Sequence, residues 1–155
     1  MNTNSKRKEY VEMQRRHQEE VNNFPISFAF SKDQVYGALK KIGASSLKEC
    51  VTVFGTGDIV KKKDKTDLVN MLIGFTEELH EKMKNDKEFA EAAFEYEMDN
   101  HEYAINWDGD EDVLDSLVLT REELKEFGLE EAYQNARRKH MKRAGEAVSY
   151  THLRA

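Results

Sequence analysis

The side chains most able to do chemistry are carboxylates, and they are segregated. From Glu88 to Thr120 the chain has no Lys or Arg but eleven acids: Glu88, Glu91, Glu95, Glu97, Asp99, Glu102, Asp108, Asp110, Glu111, Asp112 and Asp115. Even mixing of the chain's 24 cations would place about five in those 33 residues. Self-repulsion on this scale costs stability, so the run invites an explanation. One explanation is an acidic face that engages a basic partner surface, with acids spaced to imitate phosphate charge. Exposed aromatics beside the acids would then act as anchors, because aromatic side chains dominate interface energetics. On that reading the contact residues are Glu95, Asp99, Glu102, Tyr103, Trp107, Asp108, Asp110 and Asp112. The plainer reading is a solvated helix face balanced by Lys61–Lys65 and Arg137–Arg143 elsewhere in the fold.

Other constellations carry less. Asp108-Gly109-Asp110-Glu111-Asp112 imitates the opening of a calcium loop, but such a loop needs Gly at its sixth position and Glu at its twelfth. Those places hold Val113 and Leu119, so an acidic helix N-terminus explains the cluster better. Glu97 and His101 are four apart and share a helix face, with Glu102 adjacent. A zinc site needs three protein ligands, and no Cys or second His stands at motif spacing. Gly55-Thr56-Gly57-Asp58, followed by Lys61, Lys62 and Lys63, could offer backbone amides and ammonium groups to a phosphate. It lacks both the Walker and the dinucleotide spacing, and a hairpin turn with positive φ also explains the glycines. Cys50 precedes apolar residues with no base in view and reads as a small hydrophobe. No Gly-x-Ser-x-Gly elbow occurs. The basic run Arg137-Arg138-Lys139-His140 with Lys142-Arg143 suits a helix C-terminus and has few aromatics with which to stack bases.

The elements that position these residues follow from hydrophobic periodicity. Residues 3–22 give a thin stripe through Tyr10 and Met13, a helix loosely attached to the rest, ended by Phe24-Pro25. Phe24, Ile26, Phe28 and Phe30 alternate as in an extended segment. Ser31 with Gln34 reads as a capping box, and Val35, Ala38, Leu39 and Ile42 make the next helix face before Gly43. Val51, Val53, Ile59 and Val60 flank the Gly-rich turn as a β-hairpin. Leu68, Leu72, Phe75, Leu79 and Met83 mark a long amphipathic helix, in which Gly74 implies close packing. Asn85 with Glu88 reads as the cap of a helix running to His101–Tyr103, and a short helix follows near 110–117. Thr120 with Glu123 is a capping box, Gly128 a stop, and 129–144 a last amphipathic helix. The expected fold is predominantly helical α+β, with five or six helices and one small hairpin.

Asn23-Phe24-Pro25-Ile26-Ser27-Phe28-Ala29-Phe30-Ser31, the Gly-rich turn at 55–57 and Asn100-His101-Glu102-Tyr103, in that order, resemble a family of uncharacterised small proteins from phages and mobile elements of gut Firmicutes. The resemblance spans about residues 10–140 and brings no catalytic residues with it. It implies an accessory gene acting in a bacterial cytoplasm. Val148-Ser149-Tyr150-Thr151-His152-Leu153-Arg154-Ala155 in turn resembles a translated sequencing adapter. That points to a metagenomic source and a native C-terminus that is missing, and it leaves 1–147 as a single domain.

Composition sets the remaining limits. The chain has 155 residues, 35% charged and 10% aromatic, with one Cys. An internal disulfide is impossible, and a reducing compartment is expected. No apolar run approaches the ~20 residues of a membrane span, and no signal peptide precedes the charged N-terminus. The resulting expectation is a non-enzymatic cytoplasmic protein with no cofactor and no metal. Its acidic face binds a basic protein surface, as an inhibitor or nucleic-acid mimic, without contacting nucleic acid itself. The alternative is a small-ligand or nucleotide site at Gly55, Gly57, Lys61 and Lys62; a Glu97/His101/Glu102 enzyme comes third.

Overall fold

The computed structural model describes residues 3–101 and 109–154, with side chains for 4–101 and 109–145. Its elements, in order, are α1 (Thr3–Asn23), β1 (Ile26–Phe28), α2 (Lys32–Ile42), β2 (Cys50–Val51), β3 (Asp58–Lys61), α3 (Lys65–Asn85), α4 (Lys87–Asn100), α5 (Gly109–Ser116), α6 (Arg121–Glu126) and α7 (Glu130–Arg154). Short 3-10 turns lie at Leu47–Glu49 and Lys62–Asp64. The class is predominantly helical α+β, as the periodicity predicts. The chain forms two compact units, Gln14–Phe75 and Met1–Met13 with Thr76–Ala155; α1 and α3 each contribute to both.

In the Gln14–Phe75 unit the expected hairpin acquires a third strand. β3 is central, antiparallel to β1 through Ile26↔Val60 and Phe28↔Asp58, and to β2 through Cys50↔Lys61 and Val51↔Val60. Side chains alternate across a strand. Ile59 therefore packs against Ala38 and Ile42 of α2, while Val60 packs against Ile26 and Leu68. α2 stops at Gly43, whose φ of 74° is the left-handed conformation that a side chain resists. Its start differs from expectation. Ser31 makes no side-chain cap bond; instead Gln34 Oε1 accepts the Phe30 N–H at 2.7 Å. The donor is the residue before the N-cap, so neither half of the predicted capping box forms. Gly74 is exposed, with nothing near the position of a Cβ, so the close packing inferred there is absent.

The second unit is built on α4, which packs most extensively along α7. Phe89, Ala93, Phe94 and Met98 of α4 meet Ala132, Tyr133 and Ala136 of α7, with Phe94 edge-on to Tyr133 at 5.1 Å. Tyr10 and Met13 of α1 enter the same core, and Tyr10 is 1% exposed. Burying each such large side chain contributes ~1.5–3 kcal/mol, which ties this end of α1 to its unit. The cap of α4 is Asp86 rather than its neighbour Asn85: its Oδ1 accepts the Phe89 N–H at 3.0 Å, and Oδ2 accepts Lys6 at 2.6 Å. Either short polar residue suits an N-cap, so sequence alone leaves the register ambiguous by one position. Thr120 and Glu123 form the complete reciprocal box that their spacing predicts.

Candidate functional site

The acids of α4 recur every helical turn, so Glu91, Glu95 and Asp99 form one stripe. α7 answers with cations at the same spacing. Lys139 reaches Glu91 at 2.8 Å, and Arg143 lies 2.8 Å from Glu95 and 3.0 Å from Asp99. His140 Nδ1 donates to Asp99 at 2.7 Å, and Arg7 of α1 reaches the other Asp99 oxygen at 3.0 Å. Arg7 also lies 4.9 Å over the Tyr96 ring. Burial works against the charge of Asp99, but the bonds from His140 and Arg7 and the Arg143 charge outweigh it and hold the carboxyl below its usual range. Glu95 is 6% exposed, and its Oε2 is buried with no hydrogen-bond partner. Glu95 is therefore not on an exposed acidic face, and Asp99 is a structural hub. The Arg137–Arg143 run neutralises this part of the acidic stretch from within.

Glu97 turns inward as well. Its Oε1 accepts the Tyr10 hydroxyl at 2.5 Å, and His101 Nε2 lies 3.4 Å from Oε2. The expected Glu97–His101 pair does form, with Ser116 Oγ 2.6 Å from the same Nε2. The hydroxyl of Ser116 also faces the Asp112 carbonyl at 2.9 Å, and a carbonyl only accepts. With its one hydrogen spent there, Ser116 receives a proton from His101 rather than giving one. A nucleophile needs the opposite direction, and a triad needs the carboxylate on the other ring nitrogen. Among the described residues no group of three or more His, Cys, Asp or Glu is arranged to hold a metal.

The acids of α5 are different. Asp110, Glu111 and Asp112 occupy its first turn, where the helix dipole favours them. Asp110 accepts the Tyr133 hydroxyl, and Glu111 pairs with Arg121 at 2.8 Å. Asp112 and Asp115 are exposed and form no ion pair among the described residues, and the same holds for Glu122, Glu126, Glu130 and Glu131 on α6 and α7. A groove of about 420 Å³ joins these elements; it is lined by Asp110, Leu114, Leu124, Glu130, Tyr133 and Gln134 and also by two cations, Arg121 and Lys125. Glu102, Tyr103, Trp107 and Asp108 lie outside the described residues.

The Gly-rich turn is already occupied by the protein's own carboxylate. Asp58 is 3% exposed and accepts Thr52 Oγ1 at 2.6 Å, Val53 N–H at 2.8 Å, Phe54 N–H at 3.2 Å and Thr56 N–H at 3.3 Å. Burial opposes its charge, but these four donors prevail and lower its pKa to about 2. The amides that would cradle a phosphate are thus committed. Gly55 and Gly57 serve the turn, with φ of 72° and 88°, and a Cβ on Gly57 would stand 3.0 Å from the Ala29 carbonyl oxygen. Lys61 and Lys62 are at the far end of β3, so the four residues of the ligand reading do not converge. Cys50 is half-buried, its thiol donates weakly to the Ser46 carbonyl at 3.6 Å, and burial pushes its pKa up, which suits no nucleophile.

The sequence shows Asp58 only as a turn residue, Tyr10 only as part of an apolar stripe, and Arg143 only within the basic run that could balance the acids. A lone Asp closing a Gly-x-Gly turn was a usable signal for the first, whereas the other two act through partners far away in the chain. No curated protein and no solved structure matches this sequence. Residues 9–139 match the family of unknown function DUF7659, and the chain belongs to that family.

Proposed function

We propose that this protein acts by binding, presenting the acidic surface of α5, α6 and the start of α7 to a basic protein surface. The observation that carries the reading is the asymmetry of pairing. The α1/α4/α7 unit has 23 Asp and Glu against 14 Lys and Arg. Its Lys139, Arg143 and Arg7 serve α4, which leaves Asp112, Asp115, Glu122, Glu126, Glu130 and Glu131 open to solvent. Fixed like charge of this kind raises association rates with a cationic partner and repels anionic ones. The groove over Leu114 and Leu124 gives an aliphatic or aromatic anchor a place to insert. We place the protein among accessory proteins of phages or mobile elements in a bacterial cytoplasm, where it would act on a basic target such as a nuclease groove.

Affinity capture from a bacterial lysate tests the reading. Replacing Asp112, Asp115, Glu122 and Glu126 by Ser should abolish capture and leave the fold intact. Capture should also weaken steeply with salt, since exposed charges are screened within ~10 Å at 0.1 M. Equal capture by the quadruple variant would overturn it.

A further inference from the structure

The Gln14–Phe75 unit has the opposite charge balance, with ten Lys and Arg against seven Asp and Glu. One of those acids, Asp58, faces into its turn, whereas Glu49 is exposed at the groove described next and accepts the Ser45 N–H at 2.9 Å. Lys61, Lys62 and Lys63 converge with Gly43, Ser45 and Glu49 around a groove of about 450 Å³. The fold brings them there. β3 ends at Lys61 and turns through Lys62–Asp64 into α3, while α2 ends at Gly43 with Lys40 and Lys41 in its last turn. Lys61 Nζ lies 3.4 Å from where a Cβ on Gly43 would be, and Lys48 sits in the turn that carries Glu49. Lys40, Lys41, Lys48, Lys61, Lys62, Lys63 and Lys65 form no ion pair among the described residues. The negative end of α2 accounts for one or two ammonium groups near Gly43, but not for the three that line the groove.

We infer that this groove is a track for the phosphate backbone of a single-stranded nucleic acid. The chemistry of the lining favours a strand over a mononucleotide. It has ammonium groups for several phosphates but no aromatic or amide side chain to read a base, so recognition rests on backbone charge. A second feature of the same unit favours a single strand. Phe28 and Phe30 are 44% and 75% exposed, with their rings within 10° of parallel and 6.3 Å apart. Phe28 pairs with Asp58 at one end of β3 and, by strand alternation, lies on the Val60 face, while Lys61 is at the other end on the Ile59 face, so only a flexible strand passing around the sheet reaches both. The ends of β3 are roughly 10 Å apart along the strand, and the longer path from one face to the other still falls within the ~4–16 nucleotide footprints of folds that combine a basic groove with aromatic stacking. In the basic Arg137–Arg143 run, which offers little to stack on, Lys139, His140 and Arg143 are paired with acids of α4. The nucleic-acid contact not expected from that run is proposed here at the lysine groove, independently of the acidic-surface reading.

Fluorescence anisotropy of a labelled oligothymidylate with the full chain tests this. Binding should weaken with salt, log K falling by about 0.7 per phosphate contact for each decade of salt. Replacing Lys61, Lys62 and Lys63 by Gln should lower affinity about tenfold or more at low salt and flatten that slope by about 2. Phe30→Ala should lower affinity about fivefold or more with the slope unchanged, because stacking releases no counterions. Lys8→Gln with Lys142→Gln, in the other unit, should change neither. The proposal is overturned by absence of binding, by undiminished binding in the triple lysine variant, or by displacement as effective with polyglutamate or thymidine monophosphate as with unlabelled strand.

Discussion

The phenol of Tyr10 donates to the carboxylate of Glu97 at 2.5 Å, joining two buried side chains 87 positions apart. Burial and the Glu97 charge raise the Tyr10 pKa far above its ordinary value, so the phenol remains a donor throughout the working pH range. Tyr10→Phe keeps the ring that packs against Phe89 and Tyr96 but removes the donor from Glu97. Leaving a buried acceptor unsatisfied costs ~1–3 kcal/mol. The urea midpoint should fall accordingly with its m-value unchanged. A midpoint equal to the wild type's would mean that water replaces the phenol without loss.

Asp58 makes stability depend on acid. Its pKa is about 2 in the fold against 3.8 ordinarily. A depressed folded value stabilises the fold above the unfolded pKa and stops doing so as pH falls through the folded one. Asp58 therefore contributes about 1–2 kcal/mol near neutrality, once solvent screening is allowed for, and that contribution fades between about pH 5 and pH 2. Asp58→Asn keeps an acceptor but points an amide at four donors, and it should remove this acid-linked component. Denaturation midpoints measured across that range should show a shallower pH dependence in the variant. Parallel profiles would place the acid sensitivity elsewhere.

Arg143 tests how the acidic stretch is neutralised. Among the described residues it is the one partner of a Glu95 carboxylate whose second oxygen has none. Arg143→Ala should destabilise by ~1–3 kcal/mol, most of it the cost of leaving Glu95 buried and unpaired, and Glu95→Gln should recover much of that loss. No recovery in the double variant would show that Arg143 acts through Asp99 instead.

The same pair explains what the sequence could and could not disclose. Thr120 with Glu123, and Gly43 and Gly128 as helix stops, were legible because each acts on its own neighbours. The eleven acids were legible as a run, but not as two populations. The partners of α4's stripe come from α7, with Lys139 and Glu91 48 positions apart, and nothing local marks which carboxylates will be met. The Gly-rich turn failed as a ligand loop for a different reason. Its amides satisfy a carboxylate that looks in sequence like one more turn residue. The lysine groove was visible only as the run Lys61–Lys63, because Gly43 and Ser45 reach it from another element.

Val118 is the one non-glycine among the described residues with positive φ, at 55°, just past the end of α5. A β-branched side chain is poorly suited there, and the left-handed region costs an L-residue ~1–2 kcal/mol. The conformation is imposed from both sides. Val118 N–H donates to the Asp115 carbonyl at 3.0 Å, Leu119 N–H to Leu114 at 2.9 Å, and the buried His80 Nε2 donates to the Leu117 carbonyl at 2.9 Å. Leu117 and Leu119 are anchored in the core, while Val118 is 57% exposed and gains little from burial. Val118→Gly relieves the strain but adds ~0.5–1 kcal/mol of unfolded-state entropy, so a net gain of ~0.5–1 kcal/mol is expected. Val118→Asn should stabilise too, since Asn tolerates this conformation without the glycine penalty. Thermal denaturation of both variants decides the matter. A loss of stability in both would show that the Val118 side chain makes a contact worth more than the strain it carries.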